Sequence, residues 1–117
     1  MTVLKIDIDK KDILNLFLVV KKIKKYFRNS KISIKETKKG YHLYIQTNQK
    51  LSLNESILYQ AFFGSDIIRE LQNIKNKRNR LFEKKYEFKN NKFCLTSEEK
   101  ETFFSKIVEF IFNKVIK

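Results

Sequence analysis

The sequence predicts an α+β domain of the ferredoxin-like or RNA-recognition-like (RRM-like) type, in which helices cover one face of an antiparallel sheet. Two observations support this fold class. Segments in which apolar and polar residues alternate, as in half-buried strands, are separated by segments with helical spacing of apolar residues. Their order is strand, helix, strand, strand, helix, strand, which is the βαββαβ order of that fold, and a further hairpin and helix follow.

The chain is expected to form one domain over 1–117, with an RRM-like core over 1–78 and a C-terminal hairpin and helix over 79–117. Cys94 is the only cysteine, which excludes an intramolecular disulfide and a cysteine metal cluster. No apolar run reaches the roughly 18 residues that cross a bilayer, and the N-terminus lacks the order of a secretory signal. We therefore expect a cytoplasmic protein with no membrane partner.

The first strand is predicted over 2–9, with Asp7 and Asp9 on its polar side and alternate apolar residues facing the core, namely Leu4, Ile6 and Ile8. Asp9 or Asp12 would cap the helix that follows. The apolar stripe of that helix consists of Ile13, Leu16, Val20, Ile23 and Phe27. The basic residues beside it form either a solvated face, the commoner case, or a phosphate-binding surface: Lys21, Lys22, Lys24, Lys25 and Arg28.

A hairpin follows, with strands over 31–36 and 40–46. Gly40 ends the turn between them and suits a position that needs a positive φ. In the second of these strands Tyr41, Leu43 and Ile45 alternate toward the core, and the opposite side carries His42, Tyr44 and Gln46. The only histidine of the chain therefore lies on the side that the helices leave open.

In the second half, Ser52 to Glu55 form a capping-box pattern that begins a short helix ending near Gly64. The sequence does not decide between a helix and a strand for segment 65–78, because its apolar residues have helical spacing whereas the predicted sheet requires a fourth strand. Segments 81–88 and 92–95 predict a second hairpin, and Thr96 or Ser97 would cap the last helix.

The last helix carries more apolar residues than one sheet face can cover. Its core stripe is predicted to contain Phe103, Phe104, Ile107, Val108, Ile111 and Val115. Three further residues widen the apolar arc, namely Phe110, Phe112 and Ile116. The excess is either buried against the second hairpin, which we favour, or used in self-association as a homodimer.

The predicted topology places the first and third strands side by side at the sheet centre, about 4.8 Å apart. Asp7, Asp9, His42 and Tyr44 would then meet on the open face. Two carboxylates at this spacing suit Mg²⁺ or Mn²⁺, which prefer oxygen ligands and bridge to phosphates. A neighbouring histidine could hydrogen-bond a phosphate oxygen.

Lysine and arginine outnumber aspartate and glutamate by 26 to 13, which gives a formal charge of +13. This excess indicates a polyanionic partner, with nucleic acid first because cationic side chains release counterions from its phosphates. A biased genome composition or a hot habitat would also enrich lysine. The candidate nucleic-acid-binding residues are Lys38, Lys39, Tyr44, Arg69, Lys75, Arg78 and Arg80.

Two segments resemble motifs of the archaeo-eukaryotic primase superfamily, including its primase-polymerase branch. Residues 3–9 resemble the first motif, a hydrophobic strand ending in Asp-x-Asp, and residues 37–45 are similar to the second, in which a small polar residue and glycine lead into a strand bearing histidine. The separation from Asp9 to His42, 42 − 9 = 33 residues, fits compact members such as those of archaeal plasmids and viruses. The resemblance implies a role in DNA replication, with Asp7 and Asp9 binding the catalytic metals and His42 contacting nucleotide phosphates.

The third motif of that family is a strand bearing one more aspartate. Its counterpart here is 68–73, where Gln72 or Asn73 stands in place of the acid, and Glu70 would replace it only after a shift of register. The resemblance covers about residues 2–85, and it implies a nucleotidyltransferase whose activity is weakened or lost.

Two alternatives remain. The chain could be a non-catalytic module on which His42, Tyr44 and Tyr41 stack single-stranded bases. It could also be a small interaction or regulatory protein that dimerises through its last helix.

Overall fold

The computed structural model describes residues 2–79, 84–89 and 92–116, with side chains described over 2–79 and 99–116. Within these residues four helices and two antiparallel sheets follow one another along the chain. Their bounds are β1 (Thr2–Ile8), α1 (Ile13–Tyr26), β2 (Lys31–Glu36), β3 (Tyr41–Thr47), α2 (Leu53–Phe62), α3 (Ile67–Asn76), β4 (Lys84–Lys89), β5 (Lys92–Glu98) and α4 (Phe103–Val115).

The larger sheet has the strand order β1-β3-β2, and both of its pairs are antiparallel. The predicted α+β class and the pairing of β3 with β1 are thus confirmed, but only β3 is central, and β1, which was predicted to be central as well, is an edge strand. The βαββαβ arrangement is not completed in the described chain, because the segment that could have supplied a fourth strand forms α3. Among the residues that the structure describes, β4 and β5 pair with each other and with no further strand, as the predicted second hairpin.

The core lies between α1 and one face of this sheet. Asp12 caps α1 by accepting hydrogen bonds from the backbone N–H groups of Leu14 and Asn15. The predicted stripe of α1 is buried except for Ile13, which is 46% exposed, and it packs against the apolar side of the strands: Leu16, Val20, Ile23 and Phe27 on Leu4, Ile6, Leu43 and Ile45. Because α1 covers the odd-numbered positions of β3, His42 and Tyr44 lie on the opposite face.

The outer edge of β1 is closed by side chains instead of a strand. Gln60 Oε1 accepts a hydrogen bond from the N–H of Lys5 at 2.9 Å, and Ser65 Oγ accepts one from the N–H of Asp7 at 2.9 Å. Arg69 Nη2 donates to the carbonyl of Lys5 at 3.2 Å, and the N–H of Asp66 donates to the carbonyl of Asp7 at 3.1 Å. The outward backbone groups of Lys5 and Asp7, which a fourth strand would otherwise satisfy, are therefore already paired.

The hydrogen bonds at the edge of β1 explain why α3 turns its polar side inward. Arg69 and Glu70 are each 1% exposed and form an ion pair, with 2.6 Å between Nη2 and Oε1. Gln60 Nε2 donates to Glu70 Oε2 at 2.7 Å, and Asn73 is 3% exposed. The apolar residues whose spacing predicted the helix face outward and are 48–62% exposed, namely Ile67, Ile68, Leu71 and Ile74.

The outer edge of β2 is closed in the same way by α4. Asn113 accepts a hydrogen bond from the N–H of Ile32 at 3.3 Å and donates to its carbonyl at 2.9 Å. Glu109 Oε1 accepts from the N–H of Ile34 at 2.7 Å. At the end of the strand, Glu36 and Lys100 form a single antiparallel bridge.

The predictions for the last helix are corrected in two respects. Thr96 and Ser97 belong to β5, and the N-cap of α4 is Thr102, which forms a capping box with Ser105. Of the predicted core stripe only Val108 is buried, together with Phe112 and Ile116, while Phe103 and Phe110 are 81% and 66% exposed. The reason is that Glu109 and Asn113 must face β2, which fixes the rotation of the helix about its axis.

The two glycines serve different needs. Gly64 follows α2 with φ of 101°, as its predicted role as a helix terminator requires. Gly40, in contrast to the prediction, does not have a positive φ in this structure. It packs so closely on the end of β1 that a Cβ atom would lie 1.8 Å from the carbonyl oxygen of Ile8.

None of the helices in the described residues is long and apolar enough to cross a membrane.

Candidate functional site

The centre of the larger sheet brings two of the sequence-predicted site residues into contact. Asp7 on β1 lies directly opposite His42 on β3, and 3.5 Å separates Asp7 Oδ1 from His42 Nε2. His42 is 3% exposed, so the imidazole is covered. One of its contacts comes from the segment that follows β5.

Glu99, at the start of this segment, makes that contact with His42. His42 Nδ1 lies 2.8 Å from Glu99 Oε2, the hydroxyl of Tyr44 donates to the same oxygen, and Lys35 Nζ donates to Glu99 Oε1 at 3.3 Å. Lys35 lies opposite His42 on β2, so three donors from two adjacent strands converge on one carboxylate. Sequence reasoning missed Glu99, which was assigned to the first turn of the last helix.

The charges of this cluster shift the pKa values of its members. Burial alone would lower the pKa of His42, but the hydrogen bonds and charges of Asp7 and Glu99 outweigh it, and the pKa is raised above 6.5. Burial alone would raise the pKa of Glu99, but hydrogen bonds from Tyr44 and His42 and the charge of Lys35 lower it below 4.5. The imidazole therefore lies between two carboxylates that stabilise its protonated form.

Asp9 does not share the open face with Asp7, because β1 ends at Ile8 and Asp9 is exposed in the loop beyond it. The two aspartates instead line one cleft of about 420 Å³ together with Asp66, the N-cap of α3. Nothing in the sequence pattern marked Asp66, whose place follows from the contact between its N–H and the carbonyl of Asp7. Within the described residues, no three groups of metal-ligand type lie close enough to hold an ion.

The segment compared with the third primase motif does not supply an acid to this cleft. Gln72 is exposed on α3, whereas Glu70 and Asn73 are buried in the polar network behind β1. Arg69, predicted to bind nucleic acid, belongs to the same network and is engaged with Glu70, Ser65 and the carbonyl of Lys5. Its guanidinium therefore contacts groups of the protein itself.

The other predicted basic residues lie apart from one another. Lys38 and Lys39 are exposed in the turn between β2 and β3, at the end of the sheet nearest the cleft. Lys75 is exposed in the last turn of α3, and Arg78 is exposed just beyond that helix. Arg80 lies outside the described residues.

The chain matches no protein-family model, no curated protein and no solved structure. The resemblance to primases therefore stays a prediction that depends on the residues of its two motifs.

The aromatic residues of β3 do not form an open stacking platform. Tyr41 is 3% exposed and belongs to the core, and Tyr44 is half-buried with its hydroxyl on Glu99. Lys35 Nζ lies 5.3 Å from the centre of the Tyr44 ring. The hydroxyl of Tyr44 is therefore already engaged within the protein.

Proposed function

We propose that the protein binds nucleic acid or a nucleotide, and that Lys35, His42 and Tyr44 receive one phosphate group in the place of the Glu99 carboxylate. The observation that supports this proposal is the convergence of two cations and a hydroxyl on a single carboxylate at the sheet centre. Phosphate and carboxylate oxygens accept the same charge-assisted hydrogen bonds. The formal charge of +13 would raise the local concentration of such polyanions.

The way in which the Glu99 segment is attached to the sheet is consistent with displacement of the Glu99 carboxylate by a phosphate. The segment that carries it is joined to β2 by the bridge between Glu36 and Lys100 and by a hydrogen bond from the hydroxyl of Thr102 to Glu36 Oε2 at 3.2 Å. Removal of the Glu99 carboxylate leaves the charges of Lys35, His42 and Asp7, which sum to about +1 when the imidazole is protonated. The vacated site would therefore attract an anion, although Asp7 opposes it.

We further propose that this primase-like domain has lost nucleotidyl transfer. Two-metal catalysis requires carboxylates that hold both ions at the reacting phosphate. The carboxylate of Asp7 faces His42, and the residues compared with the third acid lie on α3, either buried or facing solvent. A binding role needs no such third acid.

A divalent cation remains part of the proposal because Asp7, Asp9 and Asp66 line one cleft. Their oxygens are ligands that Mg²⁺ and Mn²⁺ prefer. Mg²⁺ usually keeps several waters and binds through one or two carboxylates together with substrate phosphates. The phosphate of the bound nucleotide would complete the coordination of such an ion.

The test is a titration with adenosine monophosphate, observed through the side-chain nitrogen resonances of His42. We expect these resonances to shift with the nucleotide and not with adenosine. Glu99→Ala should tighten binding about tenfold, the equivalent of roughly 1.4 kcal/mol, and Lys35→Gln should weaken it by a similar factor.

Glu101→Ala is the matched control, because it removes the same charge from an exposed residue of the same segment. If Glu101→Ala tightens binding as much as Glu99→Ala does, the effect is one of net charge and the proposed site is wrong. If Glu99→Ala does not fold, Glu99→Gln keeps the shape of the side chain and removes its charge. Resonances of His42 that stay unmoved by the nucleotide in this variant also refute the site.

A further inference from the structure

A second surface of the protein is a groove of about 580 Å³ formed by α1 and the C-terminal end of α4. Its lining contains no acidic residue. It consists of basic residues of α1 and the turn after it, together with apolar residues of both helices: Lys21, Lys22, Lys24, Lys25 and Arg28 with Phe17, Leu18, Val115 and Ile116. None of these residues belongs to the sheet-centre site.

Two of the five cations are engaged by the protein itself. Lys24 is 7% exposed and donates to the carbonyl of Ser30. Lys22 Nζ donates to the carbonyl of Phe62 at 3.0 Å and lies 3.9 Å from the centre of the Phe62 ring. These two lysines fasten the end of α1 to its neighbours.

The other three cations of the groove, Lys21, Lys25 and Arg28, are exposed. Within the described residues no hydrogen bond or ion pair engages their side chains. Lys21 and Lys25 are four residues apart in α1, so they lie on one side of the helix, about one helical turn or 5.4 Å apart. Arg28 lies beyond the end of α1 and lines the same groove. Cations at a helix C-terminus also favour the helix dipole, but a dipole end carries only about half a charge, whereas these residues supply three.

The groove carries apolar surface between its cations. Leu18 is 54% exposed and Val115 is 68% exposed. A group of cations beside apolar surface matches a single strand of nucleic acid, whose phosphates follow one another along the backbone while its bases are free to pack on side chains. A duplex keeps its bases stacked inside, and a bilayer surface is flat and does not enter a groove.

We propose that this groove binds a single strand of nucleic acid, with phosphates on Lys21, Lys25 and Arg28 and a base against Leu18 and Val115. This inference makes the proposed function more specific, because it names a single strand as the partner. It rests on the part of that proposal in which the protein binds nucleic acid. It uses other residues than the sheet-centre site, so either site can fail while the other stands.

The test compares two triple variants by fluorescence anisotropy with a labelled oligothymidylate of about 15 nucleotides. Lys21→Gln/Lys25→Gln/Arg28→Gln removes the free cations of the groove, and Lys31→Gln/Lys50→Gln/Lys106→Gln removes the same charge from exposed lysines elsewhere. We expect the groove variant to lose at least tenfold in affinity. Its slope of log K against log salt should become shallower by about 2, because each phosphate contact on a single strand contributes about 0.7.

The control variant should keep a slope within about 0.5 of that of the unmodified protein. Equal losses in the two triple variants would show that only net charge acts, and would overturn the groove. The groove is also refuted if the protein binds duplex DNA, or vesicles that contain phosphatidylserine, more tightly than the oligothymidylate. The proposed function is tested separately, since loss of nucleotide binding in Lys35→Gln with unchanged oligothymidylate binding separates the two sites.

Discussion

Asp7 lies opposite His42 across β1 and β3, with 3.5 Å between Oδ1 and Nε2, and this contact stabilises the protonated imidazole. Glu99 completes the arrangement from the other side of the ring, 2.8 Å from Nδ1. A histidine between two carboxylates makes the stability of the protein depend on pH in a defined direction.

We expect the contribution of His42 to stability to fall as the pH rises. Its pKa in the folded protein is raised above 6.5, so the contribution is complete below pH 6.5 and is lost as the pH rises through the raised pKa. The pKa of Glu99 is lowered, so its contribution is present above pH 4.5 and is lost as the pH falls through the lowered pKa.

Urea unfolding of the unmodified protein and of His42→Gln measures this dependence. The difference in their free energies of unfolding should shrink between about pH 6 and about pH 9. A difference that stays constant or grows over this range contradicts the charged state of the imidazole.

The rotation of α4 predicts unequal effects of two substitutions on that helix. Asn113→Ala should lower the free energy of unfolding by about 1–3 kcal/mol, because both backbone groups of Ile32 lose their partner. Phe110→Ser should change it by no more than about 0.5 kcal/mol, because this ring is 66% exposed. Urea unfolding of both variants measures the effects, and a larger loss for Phe110→Ser would mean that the apolar stripe faces the core after all.

The same reasoning applies to α3. Arg69→Met should destabilise the protein by about 3–5 kcal/mol, since it leaves the buried Glu70 carboxylate without its ionic partner. Leu71→Gln, at a position that is 58% exposed, should leave the free energy of unfolding nearly unchanged. Thermal and urea unfolding compare them, and a tolerated Arg69→Met combined with a destabilising Leu71→Gln would refute the inward polar side of this helix.

The two glycines should differ in their response to alanine. Gly64→Ala should lower the free energy of unfolding by about 1–2 kcal/mol, because alanine is strained at this positive φ. Steric overlap adds nothing to this loss, since a Cβ atom there would meet nothing within 4 Å. Gly40→Ala should cost about 1–3 kcal/mol or more and shift the amide resonances of Ile8 and Lys10, whose backbone a Cβ atom would meet. Unperturbed resonances at the end of β1 in Gly40→Ala would contradict the close approach.

The acidic cleft predicts a local response to Mn²⁺. A paramagnetic ion bound in this cleft and completed by the phosphate of adenosine monophosphate should broaden the amide resonances of Asp7, Asp9 and Asp66 before those of other aspartates, and more strongly when the nucleotide is present. Asp9→Asn should reduce the broadening, and Asp12→Asn, which changes the cap of α1, serves as the control. Uniform weak broadening at all carboxylates would remove the cation from the proposal.

Sequence alone predicts the part of the fold in which alternation and helical spacing agree with burial. The strands β2 and β3, the stripe of α1 and the capping box at Ser52 follow from such local patterns. The contact between Asp7 and His42 also follows, because it needs only the two alternations and the central position of β3.

The sequence misleads where an open strand edge decides the packing. Arg69 and Asn113 face the sheet because unpaired backbone groups of β1 and β2 require partners, a demand that leaves no trace in the hydrophobic pattern. Glu99 was missed for a related reason. Its contact with His42 joins residues that lie far apart in the chain, and it depends on β5 continuing to Glu98 instead of ending where the apolar alternation ends.

The closed edges of the three-stranded sheet also bear on how this protein can associate with copies of itself. Exposed strand edges are the usual starting point for amyloid-like growth and for domain exchange between molecules. Here the two outer strands of that sheet carry Gln60, Ser65 and Arg69 on one side and Glu109 and Asn113 on the other, where an incoming strand would have to dock. Addition of a strand from a second molecule at either edge of this sheet is therefore disfavoured.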